Sequence, residues 1–321
     1  MQRRSRFIGF GGYLPERVVT NDELSLQVET SDAWIRERTG ICQRHIANEK
    51  ESCTFMAVQA AKQALEYAKI SANEVDAIIV ATCTPDKVFP STAVMVQREL
   101  GIEKAFAFDV SSACAGFVFA LSVANNFIQM GQAKNILLIG SEVYSRIMDW
   151  NDRRTCVLFG DGAGAVLMTA HDQDDGNGVL SVHLHTDGQY SDLLFVEGIP
   201  SIGNEGCFLR MNGKEVFRHA VTKLSETVEE ALSAHNLSHE DIDWLVPHQA
   251  NLRIINGMGK KLNLPANQVV VTVDRHANTS AASIPLAMNE AIRDGRIQLG
   301  DLVVIEALGG GLSWGSSIFR L

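Results

Sequence analysis

Phe108-Asp109-Val110-Ser111-Ser112-Ala113-Cys114-Ala115-Gly116-Phe117-Val118-Phe119-Ala120-Leu121 reads as a buried strand that breaks at small residues and turns directly into an apolar helix. Cys114 sits at the break. Residues 111 to 116 are small apart from the thiol, so neighbouring backbone can approach closely, and Phe117 to Met130 continues as a helix-length run without Pro or Gly. A thiolate at a helix start is favoured by about 0.3 to 1 kcal/mol, which lowers a thiol pKa by about one unit from about 8.5. The stretch therefore allows either a nucleophile or a buried, inert cysteine, and the rest of the chain has to decide between them.

The chain has 321 residues, with 28 Lys and Arg against 38 Asp and Glu, for a formal charge of −10. This length suits two domains or one doubled domain. The acidic balance excludes a general nucleic-acid footprint, so any basic site is local. The six cysteines, at 42, 53, 83, 114, 156 and 207, form no CxxC pair, which argues against a zinc ribbon or a disulfide framework. The basic start, Met1 to Arg6, precedes a run too short and Gly-rich for a signal core, and no apolar run approaches a bilayer span. The reading is a soluble cytoplasmic protein with no membrane partner.

Along the chain, Phe7 to Phe10 reads as a first strand and Asn21 as the cap of a following helix. Ser31 to Ile41 reads as a short helix stopped by Gly40, carrying Trp34, Arg36 and Arg38. This is either a solvated face with one buried Trp or a platform for a phosphorylated, adenine-containing ligand. Helices are expected over 54–68, 90–100, 117–130, 211–236, 252–261 and 281–293. Strands are expected over 75–82, 105–110, 135–140, 242–247, 268–273, 302–307 and 316–320, with a Gly-rich strand pair over 157–169. Phe159-Gly160-Asp161-Gly162-Ala163-Gly164 lacks GxGxxG spacing between strand and helix, so it indicates tight packing rather than a dinucleotide site. The polar segment 170–206 marks a boundary between halves.

The pattern then starts again. Asp76 to Val80 answers Asp243 to Val246, Phe108 to Val110 with its turn answers Val273-Asp274 with Asn278 to Ala282, and the strand from Asn135 answers that from Asp301, at offsets of 167, 165 and 166 residues. An internally duplicated α/β fold brings the turns bearing Cys114 and Asn278 together near a pseudo-twofold axis. Pro247-His248-Gln249-Ala250-Asn251 follows a buried strand of the second half, so His248 faces the same place. Taken singly, His248 suits a core or surface histidine and Asn278 a turn residue; together they suit one site.

Cys114 within Ser112 to Phe117, His248 within Val246 to Arg253, Asn278 within Asn278-Thr279-Ser280-Ala281-Ala282-Ser283-Ile284-Pro285, and the tail Gly309-Gly310-Gly311-Leu312-Ser313-Trp314-Gly315 resemble the β-ketoacyl-acyl carrier protein synthase III family of the thiolase superfamily, over essentially the whole chain. The resemblance implies a thiolase-like fold layered α-β-α-β-α, with residues 1–170 carrying the nucleophilic Cys and 171–321 carrying His and Asn. It implies an acyltransferase that performs a decarboxylative Claisen condensation of an acyl-CoA primer, acetyl-CoA being expected, with malonyl-acyl carrier protein, initiating type II fatty acid synthesis. By this resemblance Cys114, His248 and Asn278 are catalytic, and the backbone N–H groups of Cys114 and Gly310 form the oxyanion hole. Trp34, Arg38, Arg153 and Asn251 contact CoA; Arg218, Arg253, Lys260 and Lys261 dock the carrier protein; Phe89 and Tyr144 shape the acyl pocket, with Phe89 reaching across a homodimer. No metal or other cofactor is implied, CoA entering only as the substrate thioester.

Three positions depart from the family pattern: Leu308 where Phe is usual, Ala277 where Gly is usual, and Lys214 where a polar residue such as Asn is frequent. Within the superfamily, Asn278 argues against elongating synthases and thiolases. The alternatives are a related Cys-His-Asn condensing enzyme using another primer in secondary metabolism and, from a different class, a non-catalytic acyl-CoA-binding scaffold.

Overall fold

The computed structural model describes residues 3–173, 175–197 and 207–321. Two sheets carry the architecture. The first has the order Arg4–Tyr13, Gly162–His171, Asn135–Glu142, Ala77–Ala81, Phe106–Val110, and the second Trp244–Pro247, Leu302–Gly309, Ser313–Arg320, Gly178–Thr186. In each sheet parallel pairs (Ala77–Ala81 with both neighbours, Trp244–Pro247 with Leu302–Gly309) adjoin antiparallel ones.

Helices Gly116–Gln129 and Ser283–Arg293 lie in the layer between the sheets. The first has no charged residue and is apolar on most of its surface, as a helix enclosed on both sides must be. Its Phe117, Val118 and Leu121 join one core with Ile79, Val166, Ile284, Met288, Ile305 and Phe319. Cys53–Ala68 and Thr92–Glu99 cover the outer face of the first sheet, and Gly213–Ala234 and Leu252–Lys261 that of the second. The layering is α-β-α-β-α. No helix among the described residues is long and apolar enough to cross a membrane.

Local hydrogen bonding repeats along with the layers. Asp76 Oδ2 accepts from the N–H groups of Lys134 (2.8 Å) and Asn135 (2.9 Å), and Asp243 Oδ2 accepts from that of Leu302 (2.7 Å). The 3₁₀ turns Ala113–Ala115 and Ser280–Ala282 precede the two central helices, and each opens on a left-handed residue, Ala113 at φ 45° and Ser280 at φ 51°.

Several expectations are corrected. Thr20, not Asn21, caps helix Asn21–Ser25, accepting from Glu23 N–H; Asn21 is buried instead, donating to Ile41 O and accepting from Arg44. Residues 157–169 hold one strand, not a pair. The segment 170–206 contains the strand Gly178–Thr186, which opens the second sheet, so it is more than a connection; residues 174 and 198–206 lie outside the description. No strand forms over 268–273. The N–H groups of Thr272 and Val273 are taken by Gln249 Oε1 at 2.8 and 3.0 Å, and Val273–His276 turns into a short helix. Beyond a single parallel bridge of Val269 to Leu245, a buried glutamine side chain has replaced the ladder of a fifth strand.

Candidate active site

Cys114, His248 and Asn278, brought together from three separate turns of the chain, line one cavity of about 580 Å³. Each is buried. Trp34, Arg38, Asn251 and Arg253 line the same cavity, and so do Phe159, Phe217 and the departures Lys214 and Leu308.

Cys114 lies in the 3₁₀ turn just before the central helix, which begins at Gly116. Burial pushes its thiol up to about 12, against the lowering expected from the helix start. Desolvation of a buried thiolate outweighs about one unit from a helix end. The nearby Ser280 and Tyr144 hydroxyls oppose that rise.

His248 is anchored twice. Its N–H donates to Glu306 O (2.8 Å), and its Nδ1 lies 2.6 Å from Ser283 Oγ. The Ser283 oxygen also accepts from Gln249 N–H at 3.3 Å, so its own hydrogen is free to donate to Nδ1 and leave the imidazole protonated on Nε2. Burial holds His248 down to about 3, a neutral ring. Asn278 is likewise oriented: its N–H donates to Leu158 O, its carbonyl accepts from Gly160 N–H, and its Oδ1 accepts from Ser280 N–H at 2.9 Å, leaving the side-chain NH₂ as its remaining donor. Ala277, directly before it, stands at φ 58°, ψ −162°, backbone that glycine adopts far more readily. That accounts for glycine being usual there.

Gly309 abuts the nucleophile loop so closely that a Cβ would lie 2.7 Å from Cys114 N and 2.9 Å from Ala115 N. At Gly310 the nearest atom would be Leu194 O, at 2.6 Å. The glycines thus separate into one pressed on the cysteine turn and one on the facing segment.

At the cavity mouth, Trp34 lies beneath two guanidinium groups, those of Arg38 at 5.7 Å and Arg153 at 5.5 Å from its ring centroid. Arg153 does not line the cavity itself, its neighbour Arg154 does, and Arg153 donates to Glu29 O at 2.9 Å. Asn251 caps helix Leu252–Lys261 through its side-chain oxygen, with Lys260 and Lys261 in the last turn. Arg218 pairs with Glu215 at 2.7 Å. Of the four basic residues tied to the carrier protein by resemblance, only Arg253 lines the cavity. Tyr144 stands one layer behind the wall, its ring stacked on that of Phe159 at 4.9 Å. Phe89 is 84 % exposed and far from lining any part of the cavity within one chain. Among the described residues no group of His, Cys, Asp and Glu is arranged to hold a metal ion.

Sequence reasoning passed over Ser283, Gln249 and Glu142, which touch the candidate residues or their partners. The only signal for Glu142 was a carboxylate ending the otherwise apolar run from Asn135.

The family described as 3-Oxoacyl-[acyl-carrier-protein (ACP)] synthase III matches residues 108–188, and its C-terminal family matches 232–321. The chain is 61% identical over 318 residues to a beta-ketoacyl-[acyl-carrier-protein] synthase III of Acidiphilium cryptum, covering 99% of each. It superposes on the crystal structure of the 3-oxoacyl-[acyl-carrier-protein] synthase III of Aquifex aeolicus with a TM-score of 0.94 at 47% identity, covering 99% of this chain and 100% of that one. The priming beta-ketosynthase of the R1128 polyketide pathway gives the same TM-score at 36% identity, covering 100% and 97%. With the duplicated sheets meeting at a buried Cys, His and Asn, the chain belongs to the 3-oxoacyl-[acyl-carrier-protein] synthase III family of condensing acyltransferases.

Proposed function

We propose that the chain primes fatty acid synthesis by taking an acyl group, acetyl by preference, from CoA onto Cys114 and condensing it with malonyl-acyl carrier protein. The observation that carries this reading is the convergence of Cys114, His248 and Asn278 in one cavity that Trp34 and Arg38 also line.

Cys114 attacks the primer thioester and holds the acyl group, splitting one hard step into two. The N–H groups of Cys114 and Gly310 receive the tetrahedral oxyanion, where one donor is typically worth about 2.7 to 4 kcal/mol. Decarboxylation of the malonyl group needs no base, because carbon dioxide departs and the developing charge falls on an enolate oxygen. His248 Nε2–H and the Asn278 amide donate there. A neutral His248 suits that donor role, since it gives a hydrogen bond without having to lose a charge.

Adenine stacks between Trp34 and Arg153, with Arg38 meeting the phosphates and Asn251 the pantetheine arm. Arg218, Arg253, Lys260 and Lys261 form the docking patch for an acidic carrier protein, offsetting a chain charge of −10. Tyr144, backing Phe159, bounds the acyl end and favours short primers. The apolar edge strand Phe106–Val110, with Val88 at 55 % and Phe89 at 84 % exposure, supports a homodimer in which Phe89 enters the partner's pocket. The halves are taken as 1–170 and 171–321, and the enzyme as cytoplasmic and free of any metal or redox cofactor.

The test is intact-protein mass after mixing with acyl-CoAs from acetyl to decanoyl, beside Cys114→Ala. An acetyl adduct that forms fastest and is absent from Cys114→Ala supports the reading. Loading of octanoyl at the acetyl rate overturns the primer preference, and no adduct with any primer overturns the catalytic reading.

A further inference from the structure

The two donors assigned to the enolate oxygen, His248 Nε2 and the Asn278 amide, come from different loops and are anchored in different places. His248 N–H is tied to Glu306 O, and the backbone of Asn278 to Leu158 and Gly160. Their spacing depends on what joins the two loops. Among the described residues, every hydrogen bond between residues 247–251 and 270–283 ends on Gln249 or Ser283.

Gln249 is fully buried. Its Nε2 donates to Pro247 O at 2.8 Å in its own loop and to Val270 O at 3.1 Å across the gap. Its Oε1 accepts from Thr272 N–H at 2.8 Å and from Val273 N–H at 3.0 Å. Both donors and both lone pairs of the amide are used, which fixes the side chain in one orientation. The two N–H groups it accepts from stand at the start of the short helix Val273–His276, which hands the chain on to Ala277 and Asn278. From the same residue, Gln249 N–H donates to Ser283 Oγ at 3.3 Å, and that hydroxyl meets His248 Nδ1 at 2.6 Å. Ser283 opens the central helix just after Ser280, whose N–H donates to Asn278 Oδ1 at 2.9 Å. Two buried side chains therefore hold the imidazole of one donor and both ends of the stretch 272–283 that carries the other.

We propose that Gln249 and Ser283 are positioning residues for decarboxylation of the malonyl group, setting His248 Nε2–H and the Asn278 amide at the spacing the enolate oxygen needs, while loading of Cys114 proceeds without them. This rests on the reading that both donors serve the enolate. In that step the bond from the α-carbon to the carboxylate breaks, carbon dioxide leaves, and the electron pair remains as the enolate. No proton is transferred, so the brace acts only through where two hydrogens point. Loading uses instead the N–H groups of Cys114 and Gly310. Among the described residues, neither Gln249 nor Ser283 is hydrogen-bonded to the cysteine turn or to the glycine tail. A group misplaced by about 1 Å can cost about 100-fold in rate, so the two half-reactions should separate.

The experiment follows both half-reactions on one preparation by intact mass. Loading is the single-turnover appearance of acetyl-enzyme from acetyl-CoA; condensation is the loss of that adduct when preloaded enzyme meets malonyl-acyl carrier protein. Ser283→Ala and Gln249→Met should load within about threefold of the parent and condense about 100-fold more slowly, the loss falling on kcat rather than on KM for malonyl-acyl carrier protein. Ser283→Thr, which keeps the hydroxyl, should recover most of the condensation rate. Added to His248→Ala, Ser283→Ala should cost no more than about twofold, since its effect passes through the absent ring. In nitrogen NMR the His248 ring, identified by its absence from His248→Ala, should carry its proton on Nε2 in the parent and on a mixture of both nitrogens in Ser283→Ala. Equal losses in loading and condensation, no loss in either, or a full further loss in His248→Ala overturns the brace. If Gln249→Met does not fold, Ser283→Ala decides by the same criteria. Parent acetyl-enzyme that malonyl-acyl carrier protein never consumes overturns the functional reading and the brace with it; parent turnover beside variants that fail to separate the two steps overturns the brace alone.

Discussion

Replacing Gly309 by Ala tests whether the cysteine turn must meet the glycine tail at backbone distance. A Cβ there would lie 2.7 Å from Cys114 N, 2.9 Å from Ala115 N and 3.0 Å from Ser112 O. All three atoms are backbone, so no side chain can swing away. Ordinary contact begins at about 3.4 Å, so the turn has to retreat by about 0.7 Å and carry the Cys114 N–H with it. Gly309 is not left-handed, which leaves steric displacement as the source of the effect. Overpacking of this kind costs about 1 to 3 kcal/mol of stability. Misplacing one oxyanion donor lowers the acylation rate by about 10² to 10³, or about 2.7 to 4 kcal/mol. The assay is single-turnover loading of Cys114 from acetyl-CoA, with CoA affinity and urea unfolding measured on the same preparation. Gly188→Ala is the control, since no atom lies within 4 Å of its Cβ position. If Gly309→Ala loads within threefold of the parent, the close approach has no part in holding the Cys114 N–H.

Glu306 gives a stability prediction. It is buried, and neither carboxyl oxygen has a hydrogen-bond partner among the described residues; burial raises it from an ordinary 4.5 to about 8. The folded state therefore keeps a proton that the unfolded state has lost between those values, so the contribution of Glu306 to stability falls as pH rises from about 4.5 to about 8 and is level on either side. Glu306→Gln removes this dependence, and its stability relative to the parent should grow through that window; the contribution of Glu142, the same in both proteins, cancels. Urea unfolding at intervals from pH 5 to 8.5 measures it, and a difference independent of pH refutes it. Trp34→Ala should weaken CoA binding about 2- to 30-fold, from about 0.5 to 2 kcal/mol of stacking and cation–π attraction. Calorimetric titration with CoA checks this, and unchanged affinity removes Trp34 from the adenine site.

Most elements were legible because their signals are local. The apolar run 116–129, the stop of helix Asp32–Thr39 at left-handed Gly40, and the helix Leu252–Lys261 follow from residues within a few positions of one another. The duplication was legible for the same reason, since each half repeats its own local pattern; in the structure the strands from Ala77 and Trp244, and from Asn135 and Leu302, keep one spacing of 167. The apolar run 268–273 makes only one bridge to the sheet, at Val269, because the N–H groups of Thr272 and Val273 go to a side chain from another loop, Gln249, that no periodicity announces.

By itself, then, the sequence determined the duplicated α/β fold and singled out Cys114, His248 and Asn278, because strand and helix periods and short motifs lie between near neighbours; the layering came only from the family resemblance those motifs carry. Only the tertiary structure decided the character of those groups. The rise of the Cys114 thiol, the neutrality of His248 and the bond from Ser280 to Glu142, 138 residues away in the chain, arise from burial and from contacts across the whole fold. Desolvation and hydrogen bonding depend on what surrounds an atom in space, and spacing along the chain carries no record of it.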